Sequence, residues 1–127
     1  VSDFKVKKIN KEKIKKEILN NLEIEKTQDI LDSTSKHNRL RPRLVIGFAA
    51  ETKDLEKNSI KKLSEKNCDW IIANDVSNEK IGFDGEYNEV KIFKKNKPDI
   101  TSISYNTKEI IAKTLVEKIS NELKANG

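Results

Sequence analysis

Residues 43–76 read RLVIGFAAETKDLEKNSIKKLSEKNCDWIIANDV, and this stretch decides the fold class. The apolar runs at 44–46 and 70–72 are short and bounded by polar or turn residues, which is typical of buried strands. Two strands joined by a helical spacer predict a βαβ unit with parallel strands. Ligands of such sheets bind beyond the carboxyl ends of the strands, which we expect at 47–52 and 73–76.

The spacer between the two strands has the pattern of an amphipathic helix, with Thr52 as its N-cap. Its start, like a helix start at Gln28, can offer backbone N–H groups to a phosphate. Lys62 and Lys66 are four residues apart, so they share a helix face and could hold one anion together. The alternative is a solvated lysine face. The apolar positions predicted to face the sheet are Leu55, Ile60 and Leu63.

The length and composition indicate one domain with one core, because the chain has 127 residues. It begins with Val1 rather than Met, so we expect that sequence has been removed upstream. No apolar run is long enough for a membrane span, and no signal-peptide pattern is visible. The single cysteine, Cys68, cannot form an internal disulfide. We therefore expect a cytoplasmic protein in which Cys68 packs at the start of a strand.

The formal net charge is +5, which raises the question of nucleic-acid binding. However, 21 acidic residues are mixed among 26 basic ones, and aromatic residues make up only 6%. Arginine, the residue that best forms forked contacts with phosphates and bases, is scarce. A solvated, lysine-rich surface is therefore favoured, and its positive charge would attract a polyanionic small ligand such as a nucleotide.

The N-terminal third predicts short strands around a basic segment. Residues 1–4 resemble the end of a strand, and 19–26 predict a strand with Leu22 and Ile24 on a buried face. The lysine-rich segment 5–16 has two interpretations, a solvated loop or a flap that supplies lysines to phosphates. Its composition favours the loop.

A helix should open at Thr27 or Gln28, with Asp29 in its first turn, where an acidic residue suits the helix dipole. His37 lies near the predicted end of this helix, and we expect it to act there as a favourable cation rather than in catalysis. A short loop over 38–42 follows. The residues predicted to face the core are Ile30, Leu31 and Thr34.

The C-terminal part predicts an antiparallel hairpin and a helix, preceded by a long polar loop at 77–88. The hairpin consists of a strand at 89–94, a turn at 96–99 and a strand at 101–105. Thr107 then caps a helix over 108–124, whose apolar stripe we assign to core packing. The stripe consists of Ile110, Ile111, Leu115, Ile119 and Leu123.

None of the common phosphate-loop, dinucleotide, zinc or catalytic-triad motifs is present. Nevertheless, a set of short motifs resembles one family in order and spacing, namely the C-terminal part of phosphopantothenate–cysteine ligase. This is the synthetase half of the bifunctional bacterial coenzyme A biosynthesis flavoprotein. The motifs are VSDF at 1–4, KIKK at 13–16, DIL at 29–31, GFAAET at 47–52, ANDV at 73–76, GF at 82–83 and NEVKIF at 88–93.

The resemblance implies a reaction and its participants. CTP would activate 4′-phosphopantothenate as an acyl-cytidylate with release of pyrophosphate, and the amine of L-cysteine would then displace CMP. Mg²⁺ would assist, and the enzyme would be a homodimer. FMN would belong to a fused or separate decarboxylase domain, not to this chain.

The resemblance also implies a set of site residues. Lys13 would lie on a mobile loop, act in turnover and contact the nucleotide, which favours the flap interpretation of segment 5–16. Phe48 would pack near the nucleotide, and no residue is assigned to a metal. One departure is Gln28, where the family commonly has proline. The implied nucleotide contacts are Asp3, Lys13, Gln28, Asp29, Ile30, Leu31, Phe48, Lys62 and Lys66.

The fold implied is α/β, a three-layer, Rossmann-like mixed sheet with a terminal β-hairpin and a C-terminal helix. Residues 1–127 would form a single domain, the C-terminal segment of the ligase domain with its N-terminal half absent, so we expect the chain alone to be inactive. That half would then be a partner. The alternatives are a non-catalytic nucleotide-binding or assembly module and a basic nucleic-acid-binding domain.

Overall fold

The structure, a computed structural model, describes residues 2–8, 12, 22–77 and 85–127. Most of the basic segment predicted as a loop or flap, including Lys13, lies outside these ranges. So does the middle of the polar loop predicted at 77–88. The chain divides into two compact units, Val1–Ile30 and Leu31–Gly127.

Among its described residues, the smaller unit contains one short antiparallel pair of strands, β1 (Phe4–Val6) and β2 (Ile24–Lys26). A strand therefore begins at Phe4, where the sequence predicted one to end. The prediction of a buried face was wrong, because Leu22 and Ile24 are each more than half exposed. Strands of three residues can form backbone hydrogen bonds with each other. However, the described part of this unit contains no helix or second sheet that would cover their side chains.

The described part of the larger unit contains a four-stranded mixed sheet and three helices. The sheet order is β3-β4-β5-β6, with β3 parallel to β4 and the other neighbours antiparallel. This confirms the predicted βαβ unit, hairpin and α/β class. The elements are α1 (Ile30–Ser35), β3 (Ile46–Glu51), α2 (Leu55–Glu65), β4 (Trp70–Asp75), β5 (Tyr87–Lys94), β6 (Thr101–Thr107) and α3 (Lys108–Ala125).

β3 lies further along the chain than its apolar run predicted, whereas β4 begins at Trp70 as predicted and is longer. β3 pairs with β4 from Ile46 opposite Trp70 to Glu51 opposite Asp75, so most of the segments predicted as strand ends are strand. Small side chains such as Ala49 fit under a helix here, and backbone pairing does not require a bulky residue at each position. The carboxyl ends of the strands begin only at Glu51 and Asp75.

The core consists of two apolar clusters on opposite faces of β4, which is buried from Trp70 to Ala73. Successive residues of a strand point to opposite faces of the sheet. Trp70 therefore packs against α3, while Ile71 packs against α1 and α2. Cys68 is fully buried in the cluster that contains Ile71, as predicted from its place before β4. Helices on both faces of one sheet make the three layers.

Gly47 allows close approach of the layers on the α2 side. A Cβ atom at this position would lie 2.7 Å from Leu31 Cδ2 and 2.8 Å from Ile71 Cδ1. Both distances are shorter than van der Waals contact, so a larger residue would require the core to shift. The short α1 can therefore pack on the sheet because β3 has no side chain here.

α2 begins later than the sequence predicted. Its N-cap is Asp54 rather than Thr52, in a left-handed conformation with φ 48° and with no capping bond from its side chain. With the helix beginning at Leu55, every fourth residue faces the sheet, which buries Ser59 and Leu63. Ile60 was predicted to face the core but is 56% exposed.

The start of α1 also differs from the prediction, since it begins at Ile30 rather than at Thr27 or Gln28. Ile30 is exposed, whereas Leu31 packs against the core. His37 lies beyond the helix, where its Nδ1 accepts hydrogen bonds from the backbone N–H groups of Arg39 and Leu40. It thus stabilises a turn, which is a different role from the predicted cation at a helix end.

A partly buried ionic network joins α1, the start of β3 and the start of β4. Arg41 Nε donates to the carbonyl of Ser35 at 2.8 Å, and its guanidinium contacts the Asp69 carboxylate at 3.0 Å. Asp69 Oδ2 also accepts the backbone N–H of Val45 at 2.7 Å. The network satisfies backbone groups that the sheet leaves unpaired at its amino end.

The C-terminal hairpin and helix follow the prediction closely. Asn96 has φ 59° in the turn, which suits asparagine. Thr107 caps α3 by accepting the N–H of Ile110 at 3.3 Å. Ile111 and Leu115 are buried, whereas Ile110 and Leu123, which were also predicted to pack in the core, are 47% and 38% exposed.

Lys94 links the hairpin to α3. Its Nζ lies 4.1 Å from the centre of the Trp70 ring and 2.9 Å from Glu122 Oε2. The hydrogen bond from Lys94 lowers the pKa of the Glu122 carboxyl, and a bond from Asn126 adds to the effect, while desolvation opposes it. The ionised form of Glu122 is therefore the form that the fold stabilises.

We expect Gly47→Val to lower the free energy of unfolding by about 1–3 kcal/mol, because it overpacks the contact with Leu31 and Ile71. Urea denaturation followed by circular dichroism measures this. Ala50→Val, at an exposed position of the same strand, serves as control and should be nearly neutral. Equal stability of the two variants would contradict the close approach at Gly47.

We expect Glu122→Gln to lower the free energy of unfolding by about 1 kcal/mol at pH 7. The folded-state pKa of Glu122 is depressed, so its stabilisation is present above the unfolded-state pKa of about 4.3 and lost as pH falls through the lower folded-state pKa. The difference from the wild type should therefore shrink toward pH 3. Urea titrations at both pH values test this, with Glu117→Gln on the same helix as control, and a pH-independent difference would refute it.

Candidate functional site

The carboxyl ends of β3 and β4 lie side by side, because Glu51 is in register with Asp75 in the parallel pair. The backbone N–H of Val76 donates to the carbonyl of Glu51 at 2.9 Å and extends the pairing past β4. This edge of the sheet is where ligands of parallel strands bind.

Asp75 shapes the turn that follows β4. Its Oδ1 accepts the Ser77 hydroxyl at 2.6 Å and the Ser77 backbone N–H at 2.8 Å. These two hydrogen bonds lower the pKa of the Asp75 carboxyl. An exposed, ionised carboxylate therefore stands at the end of β4 at neutral pH.

Glu51, Asn58 and Lys62 form a cluster, here called the Glu51 cluster. Lys62 Nζ lies 2.6 Å from Glu51 Oε1, and Asn58 Nδ2 lies 3.2 Å from Glu51 Oε2. The Glu51 side chain is only 12% exposed, whereas that of Lys62 is 43% exposed. A half-exposed ammonium group is thus held over the end of β3 by a buried carboxylate.

The second lysine predicted to bind an anion lies elsewhere along α2. Lys66 follows the last turn of the helix and donates its N–H to the carbonyl of Lys62 at 2.9 Å. Its own carbonyl accepts the hydroxyl of Ser35, at the end of α1. The backbone of Lys66 therefore belongs to the amino end of the sheet, while the ammonium of Lys62 is at the carboxyl end. Joint binding of one anion by both lysines stays a prediction.

Phe48 is 74% exposed on β3. Its neighbours Gly47 and Ala49 face α2, so the Phe48 ring is on the opposite face of the strand from Lys62. Among the described residues β3 has β4 as its single partner, so it is an edge strand. The Phe48 ring and the Lys62 ammonium group therefore lie on opposite faces of the edge strand β3.

The smaller unit holds the other predicted contacts except Leu31, which lies in the larger unit and packs against its core. The backbone N–H of Thr27 donates to the carbonyl of Asp3 at 2.9 Å, which brings Asp3 beside the residue preceding Gln28. Asp29 follows, and Ile30 opens α1 with an exposed side chain. Lys13 lies outside the described residues. The structure thus groups the predicted residues within each unit and leaves the role of each as a prediction.

Glu51 and Asn58 were not among the predicted site residues, although they surround Lys62. One signal was available, since Gly47, Ala49 and Glu51 alternate along β3 and so share the face that α2 covers. In the described parts of the chain, no group of three or more His, Cys, Asp or Glu side chains could hold a metal ion. Nor does any described helix have the length and apolar character needed to cross a membrane.

Comparison with known proteins gives a consistent family. The sequence pattern described as the DNA/pantothenate metabolism flavoprotein C-terminal domain matches residues 1–123. The coenzyme A biosynthesis bifunctional protein CoaBC of Borreliella burgdorferi is 38% identical over 120 residues, which cover 92% of this chain and 29% of the relative. CoaBC of Escherichia coli K12 is 32% identical over 123 residues, 94% of this chain and 30% of the relative. The chain therefore spans less than a third of the length of these relatives.

Two solved structures resemble the fold. The crystal structure of the C-terminal domain of CoaBC matches with a TM-score of 0.70 and 29% identity, covering 98% of this chain and 52% of that one. The DNA/pantothenate metabolism flavoprotein of Streptococcus pneumoniae matches with a TM-score of 0.55 and 27% identity, covering 80% of this chain and 43% of that one. The similarity therefore extends over nearly the whole chain but only about half of either solved structure.

Proposed function

The chain belongs to the family of the DNA/pantothenate metabolism flavoprotein C-terminal domain, and from this membership we propose that it acts in coenzyme A biosynthesis as part of a CTP-dependent phosphopantothenate–cysteine ligase. The observation that carries the proposal is the match over residues 1–123, supported by relatives named for coenzyme A biosynthesis. The ligase would join 4′-phosphopantothenate and L-cysteine through an acyl-cytidylate.

The lysines supply the electrostatic part of this chemistry. Attack of the phosphopantothenate carboxylate on the α-phosphate of CTP builds negative charge on the triphosphate, which ammonium groups offset best when they are held in place. Lys62 is such a group, because Glu51 fixes it at the carboxyl end of β3. Lys66 and Lys13 are proposed as further phosphate contacts, with Lys13 acting in turnover.

The remaining contacts are proposed for the rest of the nucleotide. Phe48 offers an exposed ring against which a nucleoside can pack. Backbone groups around Gln28, Asp29, Ile30 and Leu31 and the carboxylate of Asp3 would hold the base and ribose. Most of these contacts would be made by the main chain. Such contacts would tolerate Gln28 at the position where the family commonly has proline.

The donor set suits a magnesium ion that arrives with the nucleotide. Mg²⁺ is usually bound by one or two carboxylates together with substrate phosphates. The exposed carboxylate of Asp75, at the carboxyl end of β4, could supply one such ligand, whereas both oxygens of Glu51 are already used by Lys62 and Asn58. The ion would add positive charge near the phosphates; the chain's own contribution is to orient Lys62 beside them.

The proposed enzyme acts in the cytoplasm as a homodimer and with the N-terminal half of the ligase. FMN belongs to a decarboxylase domain outside this chain. Because the chain spans less than a third of its relatives, we expect no turnover by it alone. The alternative from another class is a module that binds nucleotide or assembles with other chains without catalysis.

Pyrophosphate release from CTP tests the proposed reaction. The 127-residue chain is assayed with 4′-phosphopantothenate, Mg²⁺ and L-cysteine, alone and with the N-terminal half of a relative's ligase domain. Activity that requires both pieces supports the ligase. CTP binding without activity in the mixture would favour the non-catalytic module, and steady turnover by the chain alone, at roughly 1 per second or more, would refute the expected dependence on the other half.

We expect the double substitution Lys62→Gln and Lys66→Gln to weaken CTP binding by about 1–3 kcal/mol, the range for lost charge-assisted contacts. Isothermal titration calorimetry measures the affinity. The matched control is Lys57→Gln with Lys61→Gln, which removes the same charge, at the same spacing, from exposed positions of the same helix. If both double variants lose affinity equally, the effect is one of net charge, and the assignment of Lys62 and Lys66 fails.

A further inference from the structure

We propose that Glu51 is a positioning residue, which holds the Lys62 ammonium group in place for a nucleotide triphosphate and stays paired with it when the nucleotide binds. The inference rests on the proposed function, and it adds a residue that neither the motif resemblance nor the lysine spacing assigns. It stands on the geometry of the Glu51 cluster.

Both carboxylate oxygens of Glu51 are in use. Oε1 contacts Lys62 Nζ at 2.6 Å, and Oε2 accepts Asn58 Nδ2 at 3.2 Å. The same Asn58 nitrogen donates to the carbonyl of Lys53 at 3.0 Å, which ties the cluster to the loop between β3 and α2. The carboxylate therefore has a fixed orientation at the end of β3.

Burial makes release of Lys62 unfavourable. The Glu51 side chain is 12% exposed, and Lys62 is the one cation that contacts it among the described residues. When such a nearly buried carboxylate loses its cation, the remaining hydrogen bond from Asn58 offsets only part of its desolvation penalty. A phosphate that pulled Lys62 away would have to compensate this penalty, so a bound state that keeps the pair is favoured.

The ammonium group can serve both partners at once. Lysine has three N–H donors, and the contact with Glu51 uses one. The side chain of Lys62 is 43% exposed, so the other donors can reach a ligand. A lysine already fixed in one conformation loses less side-chain entropy on binding, which is the usual advantage of a preorganised site.

Glu51 could also weaken CTP binding by repelling the phosphates, and this opposite effect decides which direction of change in affinity supports the proposal. A carboxylate beside a phosphate site repels the anion, so Glu51→Gln removes a repulsion as well as an anchor. If Glu51 only competes with the phosphates for Lys62, this substitution strengthens CTP binding. If Glu51 positions Lys62, the substitution weakens it.

The experiment is a double-mutant cycle of Glu51→Gln and Lys62→Gln in the 127-residue chain, with CTP and CMP as probes in calorimetric titrations. We expect Glu51→Gln to raise the Kd for CTP about tenfold and that for CMP about twofold or less, because the lysine acts on the outer phosphates. In the Lys62→Gln background there is no ammonium group to position, so the same change should not weaken CTP binding and should leave it equal or somewhat tighter, because only the repulsion is removed. A role in folding alone would alter both ligands equally.

Tighter CTP binding by Glu51→Gln, an equal loss for CTP and CMP, or the same loss without Lys62 would each overturn the proposal. If Glu51→Gln does not fold, as judged by circular dichroism, Asn58→Ala is used instead; it frees one carboxylate oxygen and should raise the CTP Kd about threefold, and an unchanged Kd then overturns the proposal. If the wild type binds no CTP, this inference and the nucleotide site of the proposed function both fail. CTP binding that is insensitive to Glu51 defeats the inference alone.

Discussion

The parallel pairing of β3 with β4 is the constraint on which the larger unit depends. β4 is buried on both faces, with Trp70 and Ile72 on the α3 side and Ile71 and Ala73 on the side of α1 and α2. A strand covered on both faces must be apolar at successive positions, and it needs neighbours that satisfy its backbone groups on each edge. The parallel β3 and the antiparallel β5 do this, so the helices of both layers are positioned by one strand.

The two ends of this parallel pair carry charged groups with different environments. At the amino end, Arg41 and Asp69 form an ion pair that also holds the backbone N–H of Val45, so their charges are used in structure. At the carboxyl end, Glu51 is almost buried, but its partner Lys62 reaches solvent. A partly exposed cation on a buried anchor is suited to contact an anionic ligand without losing its position.

Local sequence patterns predicted the elements better than their limits. The apolar runs, the Thr107 cap and the turn at Asn96 are local signals, and the structure confirms them. The extension of β3 to Glu51 depends on its partner β4, about 24 residues away along the chain. Ser59 rather than Ile60 is buried because it lies four residues from both Leu55 and Leu63, on the face of α2 that packs on the sheet. The contact between Glu51 and Lys62 joins a strand to a helix, so no periodic pattern within either element reveals it.

The positions of Phe48 and Lys62 restrict how one ligand could contact both. The ring and the ammonium group lie on opposite faces of β3, so a ligand that touches each must pass along the edge or the carboxyl end of the strand. In the described part of the chain this edge has no neighbouring strand, and its backbone N–H and C=O groups are open to a partner. A nucleotide has an aromatic base and a polyanionic tail separated by a ribose. An apolar ring on one face and a fixed cation on the other would match that division, which is the reason for proposing a nucleoside triphosphate rather than a small inorganic anion as the ligand.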